Sequence, residues 1–192
     1  MRVNLVLALA VIIAACSPSE RGVRPPSDAD DTCVIGTAGI GPVRLGMSVD
    51  DARRAFASAT FERTSDGDGA ALIGVMRAGE DLMTLYAGED DPDAPIDWSR
   101  EILVMETFSS SCSTSTGVHP GSLVVDVETI LGKTRKITVS EIESREFIEF
   151  ERQPTQWVFR LDYTGIFLPG ARETMTVGPG AKIFSVAVMN DR

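Results

Sequence analysis

One local pattern restricts the fold of this chain more than any other, and it occurs twice: a glycine-bearing turn, a serine, a short amphipathic stretch, then segments of alternating polarity. In the first instance Ser48 precedes Val49, Ala52, Ala55, Phe56 and Ala59, which are apolar positions at helical spacing. Ser48 is a good N-cap, and Asp51 completes a capping-box-like pair. Asp50 and Asp51 also put negative charge on the first turn, where the helix dipole favours it. A helix over about 49–59 is predicted. The period then changes. Ser65-Asp66-Gly67-Asp68-Gly69 reads as a turn, and Ala71–Arg77 with Leu82–Ala87 reads as a hairpin across Ala78-Gly79-Glu80. An acidic, proline-bearing loop (Glu89–Asp97) and a third strand (Glu101–Phe108) follow.

The second instance runs from Gly117 to Ser122 and into Leu123, Val127, Ile130 and Leu131 on one helical face, with Ser122 as N-cap and Gly132 as the stop. Strands are predicted at Lys136–Ser140, Arg145–Phe150 and Trp157–Asp162. After a loop rich in Gly and Pro, Lys182–Met189 is predicted as the last. The two serine caps, Ser48 and Ser122, thus open two successive units of similar plan. A helix lying on one face of an antiparallel sheet needs a neighbour to complete a core. The fold class expected is therefore α+β: two tandem helix-plus-antiparallel-sheet units packed together, residues 33–112 and 113–192, joined through the polar link 109–116.

The amino terminus sets the compartment. Arg2 precedes an unbroken apolar run, Leu5–Ala15. A membrane span needs about 20 helical residues, and this run falls well short, so it suits the core of a signal peptide instead. Ile13-Ala14-Ala15-Cys16 resembles the bacterial lipobox. That resemblance implies signal-peptidase recognition of Ile13, Ala14 and Ala15, cleavage of residues 1–15, and acyl chains such as palmitate on Cys16. Each buried CH₂ contributes about 0.8 kcal/mol, so two or more chains hold firmly. Ser17, in place of an inner-membrane-retaining Asp, favours the periplasmic face of an outer membrane in a Gram-negative cell. Lipidated Cys16 and residues to 32 form a tether whose stretch 17–31 has three prolines and no apolar cluster. Such a segment cannot repay its ordering entropy and extends on the order of 45 Å.

An exported chain keeps its thiols in oxidising surroundings. With Cys16 acylated, Cys33 and Cys112 are expected to pair. The stretch 33–192 is long enough for a real core. Cleavage removes Arg2 and no acid, leaving 17 basic against 28 acidic side chains. That balance repels nucleic acid and anionic headgroups, so no nucleic-acid partner is expected.

Gly41-Pro42-Val43-Arg44-Leu45-Gly46-Met47-Ser48 with its acidic first turn resembles the opening of small bacterial envelope proteins, the β-lactamase-inhibitor-protein-like group and the small outer-membrane assembly lipoproteins. The resemblance implies an α+β protein whose sheet binds other proteins. It carries over no binding residue.

Local chemistry is sparse. Residues 41–48 have phosphate-loop spacing, but Met47 stands where the lysine must be and Pro42 removes a backbone donor. His119 is the one histidine, in a loop, and no Gly-x-Ser-x-Gly elbow exists to make it part of a triad. One histidine beside paired cysteines gives no ordinary zinc set. Glu89, Asp90, Asp91, Asp93 and Asp97 form the densest acidic cluster and Asp66-Gly67-Asp68-Gly69 a smaller one; both lack a full calcium-loop pattern and read as solvated turns. Trp98 and Trp157 read as packing residues before sugar platforms. The sequence reading is thus a lipid-anchored, non-enzymatic interaction module of the envelope, with a membrane contact through its anchor and an envelope protein as partner. No cofactor, catalytic residue or metal ligand is assigned. A small-ligand or calcium-binding lipoprotein, or an enzyme without a visible motif, are the alternatives.

Overall fold

The computed structural model describes residues 32–140 and 144–190. Ile13, Ala14, Ala15, Cys16 and the tether through residue 31 lie outside the described residues. In chain order the elements are β1 (Val34–Ile35), β2 (Gly39–Ile40), β3 (Val43–Arg44), α1 (Val49–Ala55), β4 (Thr60–Ser65), β5 (Ala71–Arg77), β6 (Glu80–Tyr86), β7 (Val104–Thr107), β8 (Ser113–Thr114), α2 (Val124–Leu131), β9 (Thr134–Val139), β10 (Glu146–Phe150), β11 (Trp157–Leu161), β12 (Glu173–Thr174) and β13 (Ile183–Met189). The fold is mixed and dominated by strands. Nine strands form one antiparallel sheet in the order β12-β9-β10-β11-β13-β7-β6-β5-β4, and four short ones form a second, β3-β2-β1-β8.

The large sheet follows from alternation. Ala71, Ile73 and Val75 of β5 are buried while Leu72, Gly74 and Met76 between them are half-buried. Trp157, Phe159 and Leu161 alternate in the same way with Val158 and Arg160. Period-two burial makes one face of a sheet apolar and commits it to a core. That face packs with Val49, Ala52 and Phe56 around α1, with Val124, Val127 and Leu131 of α2, and with Ile35, Ile40 and Val43 of the small sheet. The β5–β6 hairpin closes through Ala78 (φ 52) and Gly79 (φ 83). Two positive φ angles match the right-handed twist of the flanking strands.

Both helices are tied to the sheet in one manner. Gly46 N–H donates to Ile102 O, Ile102 N–H to Met47 O, and Val49 N–H to Arg100 O. Further along, Gly121 N–H donates to Ile183 O, Ile183 N–H to Ser122 O, and Val124 N–H to Ala181 O. Gly46 thus corresponds to Gly121, Met47 to Ser122 and Val49 to Val124, with the same sequence offset in every pair. Each helix starts against the segment leading into the last long strand of its half, β7 or β13. Those two strands pair with each other, Val186 opposite Thr107 and Val188 opposite Met105. The long strands before and after this pairing therefore belong to a single sheet, and the helices and the four-stranded sheet are stacked on it.

Several expectations need correction. Helix α1 stops at Ala55 with Phe56 as C-cap, short of residue 59, because the chain turns there (Ala59 N–H to Phe56 O, 3.0 Å) into β4. Strand β4 was not expected: it lies at the sheet's edge, and Phe61 is its one large apolar residue. Ser122 is not the cap of α2. Leu123 is the N-cap, with no side-chain hydrogen bond. The Asp126 amide, which a capping side chain would take, donates to the Leu123 carbonyl, while Ser122 Oγ accepts from the His119 amide at 3.0 Å. The glycine- and proline-rich loop after β11 also contributes a strand, β12, paired to β9.

Cys33 and Cys112 form a disulfide across 79 residues. It sits beside the parallel pairing of β1 with β8, where Ser113 N–H donates to Cys33 O at 3.0 Å. Both cysteines are buried.

Candidate functional site

With the helices on one face, the other face of the large sheet carries no helix among the described residues. Its centre is built by β7, β13 and β11. Glu106, Ser185 and Arg160 project there together, since Ala187 is opposite Glu106 and Ser185 is opposite Arg160. Arg160 Nη1 donates to Glu106 Oε1 at 3.0 Å, and Ser185 Oγ donates to the same oxygen. Two phenylalanines stand over this pair. Phe108 continues the Val104–Glu106 alternation past the end of β7. Phe184 reaches the same side because the β11–β13 register shifts at Arg160/Leu161; a bulge re-aims the extra side chain. Their rings meet edge to face, 5.5 Å apart at 72°. The Arg160 guanidinium carbon lies 5.9 Å from the Phe108 ring centre and 5.2 Å from that of Phe184. Each ring is nonetheless about two-fifths exposed, Phe108 at 44% and Phe184 at 41%.

The face is concave. Arg145, just before β10, donates through Nη2 to Asp66 Oδ2 at 3.2 Å and to Asp68 Oδ2 at 2.7 Å in the β4–β5 turn. In the sheet order β10 and β5 are five pairings apart. A right-handed twist of about 20–25° per strand pair accumulates to about 100–125° over that distance, which brings diagonal corners of a sheet together over one face. Beneath the clasp is a cleft of about 510 Å³ lined by Leu72, Tyr86, Val104, Glu106, Phe108 and Arg160 among others. Burial raises the pKa of Asp66, but hydrogen bonds from the Ala70 amide, Arg145 and the Asp68 amide outweigh it, so the carboxyl sits below its ordinary value.

No family model matches this chain, and no curated protein matches it in sequence. Among solved structures it is similar to the crystal structure of an uncharacterized protein, YfeY, from Escherichia coli. The TM-score is 0.54 over 82% of this chain and 99% of that one, at 12% identity. At that identity the likeness concerns the fold.

The structure disperses the residues that sequence reading singled out. His119 Nδ1 lies 2.7 Å from Pro120 O within its own loop. In the acidic loop Glu89 is committed to Arg63 and to the Asp97 amide, Asp97 to Ser99, and Asp91 to the Asp93 amide. Among the described residues no group of three or more His, Cys, Asp or Glu is placed to hold a metal. Trp157 is buried and donates Nε1–H to Gly36 O at 2.9 Å, and Trp98 lies beneath Arg53, 4.9 Å from the guanidinium carbon to the ring centre. Residues 41–48 are β3, a turn and the Ser48 cap, whose Oγ accepts from the Asp51 amide at 3.1 Å. Glu106, Phe108, Arg145, Arg160 and Phe184 were not assigned from sequence. The Val104–Glu106–Phe108 alternation marks one open-face stripe, but the bulge that turns Phe184 and the clasp between residues 66 and 145 have no local signal.

Proposed function

We propose that this chain is a lipid-anchored protein of the bacterial envelope that acts by protein–protein contact from the concave face of its sheet, without catalysing a reaction. The observation that carries the reading is the pair Phe108–Phe184: two large aromatic rings, held edge to face over a paired arginine and still open to solvent. Rigid aromatic groups beside arginine at the centre of a patch are what binding hot spots are made of. They lose little rotamer freedom on association, because neighbours already hold them. The anchor at Cys16, with Ile13, Ala14 and Ala15 ahead of it, belongs to the same proposal on its lipobox pattern. So does descent from a duplicated helix-plus-sheet unit, supported by the helix attachment that recurs at a constant sequence offset, as from Gly46 to Gly121.

The test is site-specific photo-crosslinking in cells from Phe108, with Val125 on the outer surface of α2 as the control position. A discrete adduct from position 108 and none from 125 is expected, and Phe108→Ala should weaken the isolated complex by about 2 kcal/mol or more. Equal labelling from both positions would remove the docking face. Labelled palmitate should appear on the wild-type chain and be absent from Cys16→Ser.

A second reading has one observation in its favour: the cleft volume of about 510 Å³ falls within the range of small-ligand pockets. Stabilisation against heat by one class of small solute, in the absence of any protein, would favour it over docking.

A further inference from the structure

The concave face is unevenly charged. On its β4–β7 side the cleft and the groove continuing from it are lined by Glu62, Asp66, Asp81 and Glu106, and Asp68 joins them at the clasp. Arg145 and Arg160 face these five carboxylates across the cleft, and Arg63, which also lines the groove, is bound by Glu89. Arg145 is engaged by Asp66 and Asp68. Arg160 is stacked under the two phenylalanines, and its Nε is sealed from solvent. Neither guanidinium is offered to an incoming anion. Glu106 differs: both of its side-chain bonds go to Oε1, from Arg160 and Ser185, leaving Oε2 with no donor among the described residues. Tyr86 and Phe108 line the same cleft, and aromatic faces attract cations.

We propose that this side of the face receives a basic loop of a partner protein, with one Arg or Lys side chain entering between Tyr86 and Phe108 to meet the Glu106 carboxylate. The inference rests on the docking-face reading and adds the partner's chemistry to it. The whole chain's charge of −10 agrees in sign and would speed the encounter of a basic surface. The cleft's volume of about 510 Å³ holds a long side chain together with its flanking backbone. An acidic loop would meet the five carboxylates instead, and such like-charge contact is a deterrent to wrong partners.

The full chain in neutral detergent is titrated with two blocked pentapeptides, Gly-Gly-Arg-Gly-Gly and Gly-Gly-Glu-Gly-Gly, and backbone amide shifts are followed. The arginine peptide is expected to shift Tyr86, Val104 and Phe108, and the glutamate peptide to leave them in place. Glu106→Gln keeps an oxygen for Arg160 and Ser185 and should weaken the arginine peptide about tenfold, the loss of one charge-assisted contact. Tyr86→Leu, which leaves the Glu106 bonds alone, should weaken it as well. Asp90→Asn makes the same charge change on the acidic loop and should have no effect. Equal losses in E106Q and D90N would reduce the effect to overall charge and overturn the proposal. Binding of the glutamate peptide, or the same shifts appearing through self-association as protein concentration rises, would also overturn it. Failure of both peptides to bind would defeat the basic-loop proposal, while crosslinks from Phe108 would judge the docking face separately.

Discussion

Arg63 is 15% exposed and Glu89 10%, and their contact at 2.6 Å is joined by bonds from Arg63 to the carbonyls of Ala94 and Pro95. Much of the acidic loop is therefore fixed structure. The Arg63 guanidinium holds the Glu89 carboxyl below the usual carboxylate range, against the opposing effect of burial. Because the folded-state pKa is the lower one, the pair's contribution is full above the unfolded value of about 4.3 and is lost as pH falls through the folded value. Arg63→Met would strand a buried carboxylate and should cost about 3 kcal/mol near neutrality. Glu89→Gln keeps an acceptor and should cost less. In urea titrations from pH 7 to pH 3, the wild type should lose more of its advantage over R63M at the acidic end. A gap that stays constant with pH would refute the assignment. Ala78 offers a prediction of opposite sign. Its φ of 52° is unfavourable for an L residue with a Cβ, and Asn tolerates that region. Ala78→Asn should raise stability by about 0.5–1 kcal/mol, read as a higher urea midpoint with an unchanged slope.

Among elements, those that bury alternate residues in the middle of the sheet were legible in the sequence. The predicted Ala71–Arg77 matches β5, and Trp157–Asp162 exceeds β11 by one residue. Their burial pattern is the period-two pattern of the chain itself. Elements held by partners far away in sequence were not legible. Strand β4 has one neighbour, and two-residue strands such as β1 and β8 carry no periodicity at all. The start of α2 was misplaced by one residue, since the Asp126 amide donates to the Leu123 carbonyl, where the equivalent Asp51 amide of α1 donates to a serine side chain. The disulfide compensates for the smallness of the second sheet by closing a loop between β1 and β8. On the chain-entropy model, crosslinking across 79 residues stabilises by about 4 kcal/mol. Cys112→Ser with Cys33→Ser should lower the unfolding free energy by up to about that amount. Hydrogen exchange should rise first in the 33–44 and 112–118 segments. Unchanged exchange there, with stability lost uniformly, would mean that the crosslink acts on the unfolded chain alone.

At the scale of the molecule, the pairing of β7 with β13 makes two helix-bearing halves share one sheet, and the curvature of that sheet makes the cleft. Neither was visible in the sequence, because a strand's edge-to-edge partner and the accumulated twist are properties of the assembled sheet. The Arg145 clasp reads out that curvature directly. Arg145 and Asp66 are about one-fifth to one-quarter exposed, at 21% and 24%, so the contact is worth on the order of 1 kcal/mol or less. Its effect should appear in shape before it appears in stability. Arg145→Gln should leave the urea midpoint nearly unchanged and raise amide exchange at Asp68 and Ala70, the two N–H groups that Asp66 Oδ1 accepts. Asp66 has its carboxyl pKa lowered in the clasped form. The clasp is therefore complete above the ordinary carboxylate range and should release only as pH falls through the lowered folded-state value. A distance measured between spin labels on the β4–β5 turn and on β10 should lengthen at acid pH in the wild type, and already at neutral pH in the Arg145→Gln variant. If that distance stays the same in both, the twist alone sets the width of the cleft and the ion pair merely decorates it.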